Sequence, residues 1–501
     1  TNQQGKTVAE GGICSGCHLP HKEARKLTGE KDLTTRLCLS CHSKGNIGEK
    51  VRPPGYTHPL DVGPFEKKKE NLVFAAVDAE KSELTLPLFN KYSVQDKNGK
   101  LTCLTCHDIH GTPESSNKRT ATDGKSNEAR PLLRTQAPDL CRECHKNKFY
   151  IANSKHDLNK VSSGKDIVKQ KATEPGLCGG CHLVHGSQRG FVWLKDEPTQ
   201  KNARGAEEFC IGCHSESGLA SKKVIKRYSH PVNISLKEKK LQNILPLFDR
   251  DGKVSNQGVM TCQTCHDPHR WDPLKILDGD HFEVEGNSQN SFLRLENSPS
   301  PELCDNCHPD KAYVERTDHD LIITAPSHEN IMGQTPVESG TCGACHLVHN
   351  SKNKPKLWAQ KFGAGTNVME RMCNSCHSEN GIAKNKIPRI ATHPQGKIVD
   401  LGKALKGKVE YLPLFDDISG EPVQVGSISC PSCHNVHQWD PQSPTKGKGV
   451  NLEGNATNSF LRTRSPHLMC KDCHGFEALV KFKFFHDPIM RTTKGSRDLL
   501  K

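Results

Sequence analysis

All 24 cysteines of this 501-residue chain fall in one pattern, Cys-x-x-Cys-His, which recurs twelve times. The first four are Cys14/Cys17/His18, Cys38/Cys41/His42, Cys103/Cys106/His107 and Cys141/Cys144/His145. The next four are Cys178/Cys181/His182, Cys210/Cys213/His214, Cys262/Cys265/His266 and Cys304/Cys307/His308. The last four are Cys342/Cys345/His346, Cys373/Cys376/His377, Cys430/Cys433/His434 and Cys470/Cys473/His474. Two thiols at this spacing can add to the two vinyl groups of a haem, and the adjoining imidazole can take an axial position on its iron. This is the attachment signature of c-type haem. Structural zinc needs four Cys or His ligands per site but no His directly after every second Cys. A disulfide framework would not impose a two-residue gap every time. The motifs therefore predict twelve covalently attached haem c groups.

Motifs one, five and nine begin at Cys14, Cys178 and Cys342, 164 residues apart both times. Self-similarity at a fixed period signals a repeat architecture, and here it extends to detail. His-Pro recurs at His58, His230 and His393, and Leu-Pro-Leu-Phe at Leu86–Phe89, Leu245–Phe248 and Leu412–Phe415. An arginine recurs at Arg134, Arg294 and Arg462, and His-Asp at His156, His319 and His486. The expected organisation is three tandem four-haem repeats, 1–164, 165–328 and 329–501. The second and third share Glu-Gly-Asn-x-x-Asn-Ser-Phe-Leu-Arg, which the first lacks.

The histidines complete the stoichiometry. Of 27, twelve lie in the motifs and twelve more recur in register. These are His21, His58, His110 and His156, then His185, His230, His269 and His319, then His349, His393, His437 and His486. Only His281, His328 and His467 do not recur. Twelve candidates for twelve irons predict His/His ligation throughout. None of the six methionines recurs, which argues against Met as sixth ligand. A histidine three residues after a motif histidine is too tightly tethered to reach the far face of the same haem. His21, His110 and their equivalents should therefore serve the haem of another motif.

Hydrophobic residues are 33% of the chain and aromatics 5%, lean for conventional cores. About one haem per 42 residues would supply the missing apolar mass, so the haem-free chain is expected to be largely unfolded. The formal net charge of +13 does not imply nucleic acid. Two propionates per haem against one charge per ferric centre would bring it to about +1. Arg134, Arg294 and Arg462 are candidate propionate partners. No apolar run is long enough to span a membrane. The first residues do not form a signal peptide, which predicts a mature secreted chain, periplasmic or extracellular. The expected fold is mostly coil, with short helices and small β-hairpins wrapped around a haem chain. Hairpin turns are predicted at Asn98-Gly99, Asp251-Gly252 and Ser419-Gly420.

With CHLPH ending at His21, CHLVH at His185 and His349, and the third-motif histidines His110, His269 and His437, the chain resembles multihaem c-type cytochromes with doubled CxxCH motifs. The resemblance implies closely packed bis-His haems forming an electron path. It also implies redox proteins or an extracellular acceptor as partners, or further copies of the chain in a filament. A reductase of small oxyanions is the competing expectation, and it would need one open iron.

Overall fold

The computed structural model describes residues 7–12, 14, 18, 33–49, 55–64, 84–111, 132–135, 138–160, 176–187, 206–236, 245–250, 252–274, 282–387, 393, 396–400, 412–465 and 468–476. The chain gathers into two compact units, one of residues 1–149 with 161–196 and one of 150–160 with 197–501. Regular structure is short in both. Most helices are single turns, and the strands run two or three residues.

In the first unit Cys38, Cys103, Cys106, Cys141 and Cys178 lie on the helices Leu33–Leu39, Cys103–Cys106, Asp139–Arg142 and Gly176–Gly179, and Cys41, Cys144 and Cys181 follow just after their ends. One helical turn brings residues i and i+3 to the same side, which lets both sulfurs face one ligand. The turn at Cys103 is capped locally: the backbone N–H of Thr102 donates to Thr105 Oγ1 at 3.0 Å, and both residues are buried. Leu33–Leu39 packs against it. Strand β1 (Tyr56–Thr57) pairs antiparallel with β2 (His185–Ser187). The next N–H, that of His58, donates to the Val184 carbonyl at 2.9 Å. Gly55 is required there, because a Cβ would lie 2.5 Å from the Ser187 carbonyl oxygen.

The second unit repeats these devices. Helix Ala206–Ile211 packs on Cys262–Cys265, and Val368–Cys373 on Cys430–Cys433. Thr261 and Ser429 take the capping role of Thr102, with N–H bonds of 3.0 and 3.1 Å to Thr264 Oγ1 and Ser432 Oγ. Tyr228 bridges Ser351, and the His230 N–H donates to the Val348 carbonyl at 2.8 Å, as His58 does to Val184. A four-stranded sheet runs in the order β3 (Ile398–Asp400), β6 (Val425–Ser427), β4 (Leu414–Phe415), β5 (Pro422–Val423).

Each Leu-Pro-Leu-Phe opens a folded-back segment that leads into the third motif of its set. Phe89 pairs with both Gln95 and Lys100, Phe248 with Val254 and Val259, and Phe415 with Pro422 and Ser427. The expected two-stranded hairpin is therefore a three-pass meander, and the predicted turn dipeptides are not equivalent. Gly252 and Gly420 sit in the first turn at φ 77° and 68°, where the first set has Ser93 at φ 63°. Gly99 belongs to the second turn, with Gly258. A Cβ on either would lie 2.5 Å from the backbone nitrogen of Phe89 or Phe248. Turn dipeptides could not separate these registers, because the glycine falls in the second turn of the first set, in both turns of the second and in the first turn of the third. Asp251 lies outside the described residues.

Candidate haem-binding sites

Neighbouring motifs meet at their cysteines. Cys141 hydrogen-bonds Cys178, Cys210 pairs with Cys262, Cys304 with Cys342 and Cys373 with Cys430. The fourth motif thus adjoins the fifth, the sixth the seventh, the eighth the ninth, and the tenth the eleventh. All described motif cysteines are outside disulfides. Burial pushes the Cys106 and Cys265 thiols up to about 11 and that of Cys345 to about 12. As thiols they would stay protonated, weak nucleophiles and weak metal ligands. Cys14 and Cys470, in the first and last motifs, are exposed. Cys17 lies outside the described residues.

The sequence assigns both cysteines of a motif to haem on equal terms. All four of those sulfur–sulfur hydrogen bonds join first cysteines. Cys41, Cys144, Cys181, Cys213 and Cys307, the second cysteines of five motifs, are in none of them. Backbone bonds place these five residues. Each N–H donates to the carbonyl of its own motif's first cysteine, at 3.2 Å for Cys41, Cys144 and Cys181 and 3.1 Å for Cys213 and Cys307. The Cys41 and Cys213 carbonyls in turn accept from the N–H groups of Gly48 and Ala220, at 2.9 and 3.0 Å. All five are half-buried.

The recurring arginines support the motif helices directly. Arg134 Nε donates to the Leu104 carbonyl at 2.7 Å, Arg294 Nε to that of Gln263 at 2.6 Å and Arg462 Nε to that of Pro431 at 2.6 Å. Each acceptor lies between the two cysteines of a third-type motif. Arg134 and Arg294 also pair with Asp108 and Asp267 at 3.5 and 3.4 Å. The third set has Asn435 at that place. Sequence reading offered propionates as partners and missed these bonds, because the acceptors are backbone atoms about thirty residues away.

The histidines come together in twos, one from a motif and one from the recurring second set. In the first unit His18 faces His110, His58 faces His145 and His107 faces His185. In the second unit the pairs are His156–His214, His230–His308, His266–His349, His319–His377, His346–His437 and His393–His474. All nine ring-centre separations lie between 6.0 and 6.3 Å. That is too far for ring contact, yet it suits a single metal between them. Two metal–nitrogen bonds of about 2 Å, with about 1.1 Å more to each ring centre, span about 6 Å. His110 lies opposite His18, not His107 three residues before it. His185, His349 and His437 likewise face the histidine of a different motif. No group of three or more His, Cys, Asp or Glu converges among the described residues, so the donor set fits a metal that brings its own equatorial ligands.

Protonation and orientation suit the same role. Burial lowers the pKa of His58, His107, His266, His346, His377 and His434. It takes His156, His319 and His349 down to about 4 and His437 to about 3. These rings are neutral at pH 7, as a metal ligand must be. Nδ1 donates to a backbone carbonyl at His42 (Gly48, 3.3 Å), His214 (Lys223, 3.2 Å), His266 (Ser291, 3.1 Å), His346 (Lys356, 2.7 Å) and His434 (Ser459, 3.3 Å). His58 and His230 use the carbonyl of the following proline at 3.3 and 3.2 Å. With Nδ1 carrying the proton, Nε2 is the available ligand atom.

The His-Asp pairs have a local cause. Asp157 accepts from the Asn153 N–H at 2.9 Å, and Asp320 from the Arg316 N–H at 2.8 Å. Both carboxylates are buried and close the loop that presents the preceding histidine. His182 and His269 have contacts beyond these nine pairs. His21 and His486 lie outside the described residues, as do the non-recurring His281 and His467.

The family described as doubled CXXCH motif matches residues 6–46 and 335–381. A multihaem cytochrome named MtrA from Shewanella baltica is 25% identical over 182 residues, covering 35% of this chain and 49% of its own length. A high-molecular-weight cytochrome c from Nitratidesulfovibrio vulgaris is 22% identical over 259 residues, covering 48% of this chain and 40% of its own. The chain thus spans less than half the length of either relative. No solved structure matches.

Proposed function

We propose that the chain is a multihaem c-type cytochrome that conducts electrons along twelve c-haems, each held by one Cys-x-x-Cys pair and two histidines, a reading that the doubled CXXCH match and the two cytochrome relatives support. The carrying observation is the 6.0–6.3 Å spacing that recurs at nine histidine pairs. Cys41, Cys144, Cys181, Cys213 and Cys307 take the second thioether of their motifs on the strength of sequence spacing and helix position. When bound, haem iron accepts and passes on single electrons. The chain's own part is to fix spacing, ligand identity and dryness. Two neutral imidazoles favour low potentials relative to Met/His ligation. Two such histidines per haem would leave no iron coordination site for a substrate.

On the reading of three four-haem repeats, 1–164, 165–328 and 329–501, the pairs follow a rule. The first-motif haem takes its second ligand from the third motif of its own repeat, and the fourth-motif haem from its own His-Pro. The second-motif haem uses the His-Asp of the preceding repeat: His156 serves His214, and His319 serves His377. The third-motif haem uses the first motif of the following repeat: His185 serves His107, and His349 serves His266. Ligand exchange in both directions would then stitch successive repeats into one wire.

Covalent haem attachment takes place outside the cytoplasmic membrane, which argues for the periplasm or the cell exterior. No helix among the described residues is long and apolar enough to cross a membrane. Redox proteins or an extracellular acceptor are the proposed partners, and a run of equivalent repeats suits a filament subunit. The experiment is an intact-protein mass with haem quantification, followed by stepwise reduction. Twelve haems reducible in one connected series are expected; a smaller number, or haems that never equilibrate, overturns the reading.

The competing reading is a reductase of small oxyanions, which needs one open iron; added nitrite or cyanide would then shift the spectrum of about one haem in twelve.

A further inference from the structure

Haem attachment does not explain the Glu-Gly-Asn-x-x-Asn-Ser-Phe-Leu-Arg segments, Glu285–Arg294 and Glu453–Arg462. In each, two successive residues with side chains adopt the left-handed backbone: Ser291 and Phe292 at φ 64° and 61°, Ser459 and Phe460 at 62° and 61°. Non-glycine residues avoid this region unless the surroundings enforce it.

The enforcement is built from the segment's own side chains. Asn287 N–H donates to Asn290 Oδ1 at 2.9 Å, and Ser291 Oγ donates to the Asn287 carbonyl at 3.0 Å. Asn455 N–H and Ser459 Oγ make the matching bonds at 2.7 and 3.3 Å. Phe292 N–H donates to the Trp271 carbonyl, and Phe460 N–H to that of Trp439, both at 2.9 Å. Gly286 and Gly454 leave room for the indoles: an added Cβ would come within 3.2 and 3.1 Å of Trp271 and Trp439.

Each loop thereby turns one phenyl ring inward. Phe292 and Phe460 are 8% exposed and stand edge-to-face on Trp271 and Trp439, at 5.0 and 5.1 Å. Their other neighbours are histidines. Phe292 lies 4.1 Å from the His156 ring centre, and Phe460 4.3 Å from that of His319. These two histidines differ from His58 and His230, whose Nδ1 atoms bond the next carbonyl. Nδ1 of His319 is buried without a hydrogen-bond partner among the described residues. Nδ1 of His156 is buried beside the Pro268 carbonyl without a well-formed bond.

We propose that Phe292 and Phe460 are positioning residues for the ligand rings of His156 and His319, holding by aromatic contact what other sites hold by a hydrogen bond. This rests on the reading that those histidines ligate the haems of His214 and His377. The same loops also orient a neighbouring motif histidine, since the Ser291 and Ser459 carbonyls accept from His266 and His434 Nδ1. The chain contains its own comparison. Leu132 occupies the corresponding place in the first set, where the Asp108 N–H meets its carbonyl at 2.8 Å as the Asp267 N–H meets that of Phe292 at 2.7 Å. Leu132 is 52% exposed.

A ligand ring whose Nδ1 lacks a well-formed hydrogen bond is less electron-rich, and a dry pocket disfavours the cationic ferric centre, so both effects raise the potential of that haem. Removing the phenyl ring should lower it by letting water and ring rotation in. The test uses purified holoprotein carrying Phe292→Leu, which copies Leu132 and should fold, and Phe292→Ala. Low-temperature EPR and a spectroelectrochemical titration are compared with wild type at equal haem content. Expected in both variants is a change in one low-spin signal and a fall in one potential, larger for Ala, with the other haems unmoved. If both variants retain every wild-type signal and potential, the positioning role is wrong while the ligand reading stands. High-spin iron at the His214 haem of the wild type would instead remove the ligand reading, and the positioning role with it.

Discussion

Two kinds of histidine pair divide the molecule. Where the second histidine lies three residues after a motif, the imidazole planes are nearly parallel: 23° for His18–His110 and His107–His185, 24° for His266–His349 and 15° for His346–His437. Where it comes from a His-Pro or His-Asp, the planes cross at 68° (His58–His145), 76° (His156–His214), 77° (His230–His308), 54° (His319–His377) and 73° (His393–His474). A histidine on the tail of a motif helix has its orientation set by how two motifs pack. One delivered by a loop is held by the following proline carbonyl, as at His58 and His230, or faces a phenyl ring from a distant segment, as at His156 and His319. On the ligand reading, first- and third-motif haems are one electronic class and second- and fourth-motif haems another, alternating along the chain.

The largest expected effect tests whether either class exists without haem. The buried apolar side chains of the meanders, such as Leu88, Phe89, Leu414 and Phe415, form only small clusters. The chain made without haem attachment should therefore show little regular circular dichroism and exchange its amide hydrogens without protection. A cooperatively folded haem-free chain would show that the polypeptide positions the histidines by itself.

Next come the ligands. His349→Ala removes a parallel-class ring placed between two motifs, and His230→Ala removes a crossed-class ring on a loop. Each should turn about one haem in twelve high-spin. The His349 variant should lose more stability, about 2–4 kcal/mol against about 1–2, by denaturant titration. Equal losses would blur the distinction between the classes.

Acid should affect both classes. Histidines whose folded pKa is lowered to about 4 bind fewer protons in the folded state than in the unfolded one. Stability is thus fully present above the ordinary histidine pKa of about 6.5 and falls as pH drops from there toward 4. Thermal midpoints measured across that window should decline with pH; a flat profile would mean the rings are not buried neutral. The smallest effect concerns the helix that starts at Cys262. Thr264→Val deletes the capping hydroxyl, whose loss should cost about 1 kcal/mol without changing ring geometry or spin state.

The attachment cysteines and the second set of histidines were legible because covalent and ligand chemistry tolerate few residue types, and the register repeats. The partner of each histidine was not, because His110 and His18, or His319 and His377, are brought together by long-range packing. Local spacing showed only that His110 could not serve the haem of His107. Phe292 and Phe460 stood in a visible shared segment, yet nothing in its composition reveals that a left-handed Ser-Phe turns the ring onto a histidine from far upstream. The backbone bonds of the arginines were hidden for a related reason: their acceptors are carbonyls, which carry no signature in sequence.

The most direct test is low-temperature EPR of the fully oxidised protein with haem quantified on the same sample. Near-parallel imidazole planes act on one iron orbital and split the lowest pair, while crossed planes act on both and leave them close in energy, with a strongly anisotropic signal. Twelve low-spin haems in two such classes of similar weight are predicted. A single class, or a high-spin fraction of one haem in twelve or more, would contradict an electron path of paired histidines.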